Sequence, residues 1–294
     1  MRQYYLADIT TKDKISLQGI YAEPKMNGRR ALLLEHGLSG TFYRDSKMLE
    51  TFADASNKEG WGFAAFNNRG HDMLAGMRKM DGTPPYGYSF YPAGAGREVF
   101  EESVLDIDAG VDFLMKQGYS EVILMGHSTG ANKACYYAAT QKNPHIVGVV
   151  LAGPMSDRLS MAKTDKNILK NVSAMHNYID EGRGDELMLG YHFFPITPKR
   201  YVSLFEPKSP EDVFDIAEPE PKLVTFSNIQ LPMLVVLLGN DEAADRPMEE
   251  IKKTFDSHAK SPKYTSVIIP AALHRFNGHE QEVVDTIIHW AKTI

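Results

Sequence analysis

Short apolar runs alternate with amphipathic stretches along most of the chain. The runs that are short and continuous enough to be strands span residues 15–21, 31–34, 62–66, 121–125, 146–151, 232–239 and 264–270. Between them, apolar residues recur at helical spacing, for example at Val104, Ile107, Val111 and Leu114. Strands that alternate with helices are typical of βαβ units. The pattern therefore predicts an α/β fold with a mostly parallel central sheet that is flanked by helices.

One interval departs from this alternation. After the run at 146–151, the next clear strand begins only at Leu231. Connections in α/β units usually have about 2–6 residues, so a segment of this length must be structured or be a functional insertion. It contains an amphipathic stretch at 168–179 and an aromatic piece at 191–195. We expect a core formed by residues 1–154 and 231–294, with a helical cap inserted at residues 155–230.

Composition narrows the classes of function. The chain has 294 residues, of which 43% are hydrophobic, and a net charge of −6, which argues against a nucleic-acid partner. The amino terminus carries Asp8 before any apolar segment long enough for export, and no later segment reaches membrane-spanning length. The single cysteine, Cys135, fits a reducing compartment and is interpreted as core packing. These features favour a cytoplasmic protein, whereas the oligomeric state is not evident from them.

The segment Gly126-His127-Ser128-Thr129-Gly130 lies between an apolar run and a helix with one face of small side chains. A Gly-x-Ser-x-Gly segment at a strand-to-helix turn exposes a serine hydroxyl, because the glycines remove Cβ atoms that would collide. The pentapeptide alone is a weak signal, so its context decides. We expect Ser128 to be a nucleophile.

A serine hydroxyl needs a base to accept its proton and a carboxylate to orient that base. Asp241 follows the strand-like run at 232–239 and His274 follows the run at 264–270. We assign His274 as the general base, with His279 as the competitor, and Asp241 as the orienting acid. Two alternatives for the acid stay open, since either acid type can serve: Glu242, which is three residues beyond Gly239, and then Asp245.

The oxyanion formed during acyl transfer needs two backbone N–H donors. We expect one from Thr129 and the other from Leu38, which lies in the glycine-rich segment at 36–40 after an early strand. The alternative is that this segment is only a flexible connection. No spacing typical of a metal site is present, so neither a metal nor an organic cofactor is expected.

These motifs together resemble the α/β-hydrolase superfamily over nearly the whole chain. The residues that carry the resemblance are His36-Gly37, Asn68-Arg69-Gly70-His71, the pentapeptide around Ser128, Asp241 and His274. Segments 100–102, 106–109 and 182–188 are also similar to bacterial relatives of fungal siderophore esterases. The Asn68 to His71 piece marks a strand end in the superfamily, and we interpret it as tying down a loop by hydrogen bonds.

The resemblance implies a serine esterase that cleaves a small-molecule carboxylic ester through an acyl-enzyme. A thioesterase or amidase with the same three residues is an alternative, and so is a non-catalytic binding protein on the same fold. The aromatic segment at 82–92, expected to be a loop, either walls a substrate pocket or packs the cap against the core. The sequence does not define the acyl group.

Overall fold

In the computed structural model of the chain, residues 4–25, 28–44 and 46–294 are described. Residues 1–3, which begin the amino-terminal segment discussed above, lie outside the described residues. The strands are β1 (Tyr5–Thr10), β2 (Ser16–Ala22), β3 (Arg30–Glu35), β4 (Gly62–Phe66), β5 (Ala75–Lys79), β6 (Ser89–Ala93), β7 (Glu121–His127), β8 (Ile146–Ala152), β9 (Met233–Leu238) and β10 (Tyr264–Ile269). The helices are α1 (Ser46–Lys58), α2 (Ser103–Lys116) after a 3-10 turn at Phe100–Glu102, α3 (Thr129–Thr140), α4 (Asp157–Ala162), α5 (Ile168–Asp180), α6 (Pro198–Phe205), α7 (Val224–Ser227), α8 (Met248–His258) and α9 (Glu280–Ala291).

Among the described residues, eight strands form the central sheet in the order β1-β2-β4-β3-β7-β8-β9-β10. The pairs β1–β2 and β2–β4 are antiparallel, whereas every pair from β4 to β10 is parallel. The expected α/β fold with a mostly parallel sheet is confirmed. Because β3, β7, β9 and β10 run in the same direction, the loops that follow them meet at one edge of the sheet.

Apolar side chains cover both faces of the sheet. One cluster packs α2, α3 and α8 against it, and a second packs α1 and α9 against the opposite face. Strand β9 is buried at every position, which explains why its sequence is a continuous apolar run rather than an alternating one. The sheet is therefore enclosed by helices, and its accessible chemistry lies at the strand ends.

Outside the insertion, the sequence analysis did not anticipate β1, β5, β6 or α8. The expectation that residues 82–92 form a loop was wrong for the last part, because β6 begins at Ser89 and pairs antiparallel with β5. The rings of Tyr86 and Phe90 are 75% and 72% exposed. These two rings therefore do not pack the insertion against the core.

The long insertion holds α4, α5, α6 and α7. Residues of α5 and α6 form a small apolar cluster of their own with Phe194 and Ile196, and the side chain of Leu38 packs against it. Later residues of the insertion, including Phe214 and Phe226, belong instead to the large cluster on the sheet. The first half of the insertion thus has a separate core, while its second half shares that of the sheet.

Candidate active site

Ser128 lies at a sharp turn between β7 and α3, with φ 58° and ψ −128°. A serine with positive φ is strained and needs support from its surroundings. The flanking glycines allow the turn: a Cβ on Gly126 would lie 2.0 Å from the carbonyl oxygen of Gly130, and one on Gly130 would lie 2.3 Å from that of Glu35. Only glycine permits these approaches, so the local sequence fixes the turn that presents the hydroxyl.

The structure brings Ser128, His274 and Asp241 together in one line. His274 Nε2 lies 2.8 Å from Ser128 Oγ, and His274 Nδ1 lies 2.8 Å from Asp241 Oδ2. Since an ionised carboxylate only accepts hydrogen bonds, the imidazole donates its Nδ1–H to Asp241 and accepts from the serine at Nε2. The other oxygen of Asp241 accepts from the N–H of Ala243 at 2.8 Å, and its side chain is fully buried. This arrangement can draw the proton from a serine hydroxyl.

The alternative residues for the acid and for the base make other contacts. Glu242 accepts a hydrogen bond at 3.0 Å from the backbone N–H of His274, so it contacts the base without reaching its ring. Asp245 pairs with Arg246 at 2.8 Å. His279 lies at the start of α9, where its Nδ1 is 2.9 Å from Glu282.

The environment of His274 sets its basicity. Burial alone would lower the pKa of its imidazole, but the hydrogen bond and the negative charge of Asp241 outweigh burial. The pKa of His274 therefore lies above its ordinary value. Glu242 and Asp157 raise this pKa further.

The loop after β3 approaches the serine closely. A Cβ on Gly37 would lie 2.8 Å from the Cβ of Ser128. The carbonyl oxygen of Gly37 accepts from Gly40 N–H and from His36 Nδ1, each at 2.9 Å. In a planar trans peptide the next N–H points the opposite way, so these two bonds fix the direction of the Leu38 N–H. In residues 4–25, 28–44 and 46–294, no hydrogen bond uses the N–H of Leu38 or of Thr129.

Two histidines to which the sequence analysis assigned no role of their own support this geometry. Burial lowers the pKa of His36 to about 3, so it is neutral, and its Nε2 accepts from the N–H of Asn68 at 3.2 Å. His127 is also buried, and its Nε2 lies 2.7 Å from the carbonyl oxygen of His274, to which it donates. His127 thus holds the backbone that carries the base. Both histidines belong to motifs recognised in the sequence, but only the fold reveals their distant partners.

A buried ion network joins α3 to the insertion. Lys133 Nζ lies 2.5 Å from Glu98, whose other oxygen lies 3.1 Å from Arg200 on α6, and Arg200 also pairs with Glu211. The side chains of all four are at most 1% exposed. Charges buried to this degree are stable only when paired. Sequence patterns did not reveal the network, because charged residues are usually expected at the surface.

Arg69 and Cys135, which the sequence analysis also considered, make contacts that stabilise the fold. Arg69 is buried and binds Asp106 at 2.8 Å, and burial raises the pKa of the Cys135 thiol, which lies in the core. In the part of the chain that the structure describes, no group of three or more His, Cys, Asp or Glu side chains could hold a metal ion. None of the described helices is both long and apolar enough to cross a membrane.

Several solved structures that share this fold at low sequence identity are esterases or hydrolases. The siderophore hydrolase EstB from Aspergillus fumigatus matches with a TM-score of 0.69 and 16% identity, and the match covers 98% of each chain. Est1E from Butyrivibrio proteoclasticus, solved with ferulic acid bound, matches with a TM-score of 0.66, 16% identity and 98% coverage of both chains. An esterase from Pyrococcus furiosus matches with a TM-score of 0.62 and 17% identity, and the match covers 99% of this chain and 91% of the esterase. The α/β-hydrolase fold expected from the motifs is confirmed.

Two further comparisons address the family. No curated protein matches the chain. A family model matches residues 88–292, which contain Ser128, Asp241 and His274. The chain therefore belongs to the family described as protein of unknown function DUF1749.

Proposed function

We propose that the protein is a serine esterase that hydrolyses a carboxylic ester through an acyl-enzyme. The observation that carries the proposal is the line from Asp241 through His274 to Ser128, with both contacts at 2.8 Å, at a strained turn. A binding protein on the same fold would not require this line. The fold shared with esterases adds support, and the ligands named for two of them, a siderophore and ferulic acid, indicate the range of esters to test.

The reaction has two halves. In the first, Ser128 Oγ attacks the ester carbonyl carbon while His274 Nε2 takes the hydroxyl proton, and the N–H groups of Leu38 and Thr129 bind the oxyanion. The intermediate collapses, the bond to the alcohol breaks, and His274 returns its proton to the leaving oxygen. In the second half, His274 takes a proton from water, which attacks the acyl-serine. The bond between the acyl carbon and Ser128 Oγ then breaks, and His274 returns the proton to Oγ, which releases the acid and restores the serine hydroxyl. Asp241 stabilises the imidazolium in both halves.

We further propose that residues 155–230 act as a cap over a core formed by residues 1–154 and 231–294. The separate apolar cluster of α5 and α6 supports this role, as does its contact with Leu38 in the loop beside Ser128. The cap then limits which acyl and alcohol groups reach the serine. The single free cysteine, buried in the core, is compatible with a cytoplasmic location, which stays part of the proposal.

A panel of p-nitrophenyl esters, acyl thioesters and anilides tests the reaction class. We expect the esters to give the highest kcat/KM, and Ser128→Ala to lower kcat by about 10⁴-fold or more. Ser173→Ala is the matched control, because Ser173 is exposed on α5. Turnover of no member of the panel, or equal turnover by Ser128→Ala and native protein, would reject the proposal.

A further inference from the structure

Asp157 is a carboxylate near the proposed active site that the mechanism does not use. It is partly buried at the start of α4, just after β8. Four residues earlier, a Cβ on Gly153 would lie 3.5 Å from the His274 ring. Asn132, which lies one helical turn beyond Ser128 on α3, approaches Asp157 Oδ2 with its Nδ2 at 3.5 Å. Asp157 therefore lies against the first turns of α3, near enough to His274 for its charge to act on the imidazole.

The cations near Asp157 are already engaged elsewhere. Arg200 is occupied by Glu98 and Glu211, and the guanidinium of Arg158 lies 2.6 Å from Glu218. Within the described residues, no Lys, Arg or His forms an ion pair with Asp157. Burial, together with the negative charge of Glu211, raises the pKa of Asp157 to about 7. The free carboxylate is costly in this environment because it lacks a positive partner.

A second observation indicates a shortage of hydrogen-bond donors at the same place. Asn132 donates its Nδ2 to the backbone carbonyl oxygen of Glu211 at 3.1 Å, and a carbonyl can only accept, so the orientation of the amide is fixed. Its Oδ1 then faces away from Glu211. In the part of the chain that the structure covers, this atom is buried and has no hydrogen-bond partner. Among the described residues, the oxygens of Asp157 and Asn132 are thus not neutralised by a nearby cation or donor, and both would attract a positive group by charge alone.

Glu35 provides a useful contrast. Burial raises its pKa to about 7 as well. However, its carboxylate accepts a hydrogen bond from the Asn68 amide at 3.1 Å, and its side chain is only 3% exposed, within the core of the sheet. Glu35 is therefore enclosed by the protein, whereas Asp157 is open in part. Only Asp157 can receive a partner from outside.

Building on the proposed function, we propose that Asp157 binds a cationic ammonium group of the ester substrate. A positive group would provide the ion-pair partner that Asp157 lacks. Its attraction to Asp157 is strong because the site is partly shielded from water. The enzyme then favours esters that carry an ammonium group on the acyl or the alcohol side. Asp157 acts in substrate selection and takes no part in proton transfer at Ser128.

Two isosteric substrate pairs test the proposal. Acetylcholine and 3,3-dimethylbutyl acetate differ by a charge on the alcohol side. The p-nitrophenyl esters of 4-(trimethylammonio)butanoate and 5,5-dimethylhexanoate differ in the same way on the acyl side. In native protein, we expect kcat/KM to favour the cation by about tenfold or more in at least one pair. In Asp157→Asn, that ratio should fall to about one. The neutral ester should keep its kcat/KM within about threefold at a pH well above the pKa of His274, where the effect of Asp157 on that pKa does not change the fraction of neutral imidazole.

Asp180→Asn is the matched control, since Asp180 is exposed at the end of α5 and should leave both ratios unchanged. Ratios near one in native protein, with neutral esters still hydrolysed, would overturn the inference and leave the proposed function intact. A ratio that survives in Asp157→Asn would also overturn it. Calorimetry with choline separates the two proposals, because native protein should bind choline at least about tenfold more tightly than Asp157→Asn whether or not esters turn over.

Discussion

Ser128, Asp241 and His274 lie in loops that follow strands with mostly apolar side chains. In contrast, the first half of the insertion is joined to the core by a buried ion pair between Arg200 on α6 and Glu98. Apolar packing is non-directional, so the strands fix the positions of the loops through shape and backbone pairing. Buried ion pairs demand specific partners, and loss of one partner leaves an isolated charge. Substitutions in the two regions should therefore affect different quantities, catalysis at the sheet edge and stability at the insertion.

The largest expected effect is catalytic and comes from Asp241→Asn. This change removes the acceptor that holds the imidazole in the required tautomer, so kcat should fall by about 10⁴-fold with little loss of stability. Glu242→Gln is the matched control, because Glu242 contacts only the backbone N–H of His274, and we expect less than about a tenfold change. Steady-state kinetics on a p-nitrophenyl ester measures both. A larger loss in Glu242→Gln than in Asp241→Asn would reverse the assignment of the acid.

In the insertion, Arg200→Met should lower the free energy of unfolding by about 3–5 kcal/mol, because Glu98 and Glu211 are left buried without their cation. Lys199→Met, the neighbouring residue on α6, is the control. Lys199 pairs with Asp185 at the surface, where such a pair contributes about 0–1 kcal/mol. Urea denaturation of both variants gives the comparison. Equal destabilisation by the two substitutions would show that the buried network does not fasten the insertion.

A smaller catalytic effect is expected at His127, which acts on the base through the backbone. His127→Phe removes the donor to the carbonyl of His274, so kcat should fall about tenfold as the imidazole loses its fixed position. His127→Gln retains a donor and should recover part of this loss. If KM alone changed, or if Phe and Gln behaved alike, the hydrogen bond would have no positioning role.

The smallest expected effect is a shift in pH dependence. His274 must be neutral to accept a proton, so kcat/KM falls as the pH drops through its pKa. Since Asp241 holds that pKa above its ordinary value of about 6.5, the acid limb should have its midpoint above about pH 6.5. The pH profile of kcat/KM for Arg200→Met should have the same midpoint, because Arg200 lies in the insertion and not at the sheet edge that carries His274. A midpoint below pH 6 in native protein would contradict the environment described for His274.

The two regions also differ in how far the sequence could predict them. The strands β3, β4, β7, β9 and β10 were predicted within two residues at either end, because continuous apolar runs produce a strong local signal. Ser128, Asp241 and His274 could be assigned from the sequence because each of them follows one of these predicted strands in the required order. Strand β1 was missed because it is an edge strand with mostly exposed positions and little apolar pattern.

The contacts of the insertion could not be predicted in this way. Glu98 and Arg200 are 102 residues apart, and no local pattern marks either as buried. The same holds for His127, whose partner His274 is 147 residues away. Partners at such separations are determined by tertiary packing, which periodicity and spacing do not encode.

Labelling with a fluorophosphonate, followed by intact-mass analysis, tests most directly whether Ser128 is an activated nucleophile. We expect one adduct on native protein, none on Ser128→Ala, and slower labelling of Asp241→Asn, because only a serine paired with an oriented base reacts readily. Absence of any adduct on native protein, or an adduct that persists on Ser128→Ala, would show that Ser128 is not the activated nucleophile.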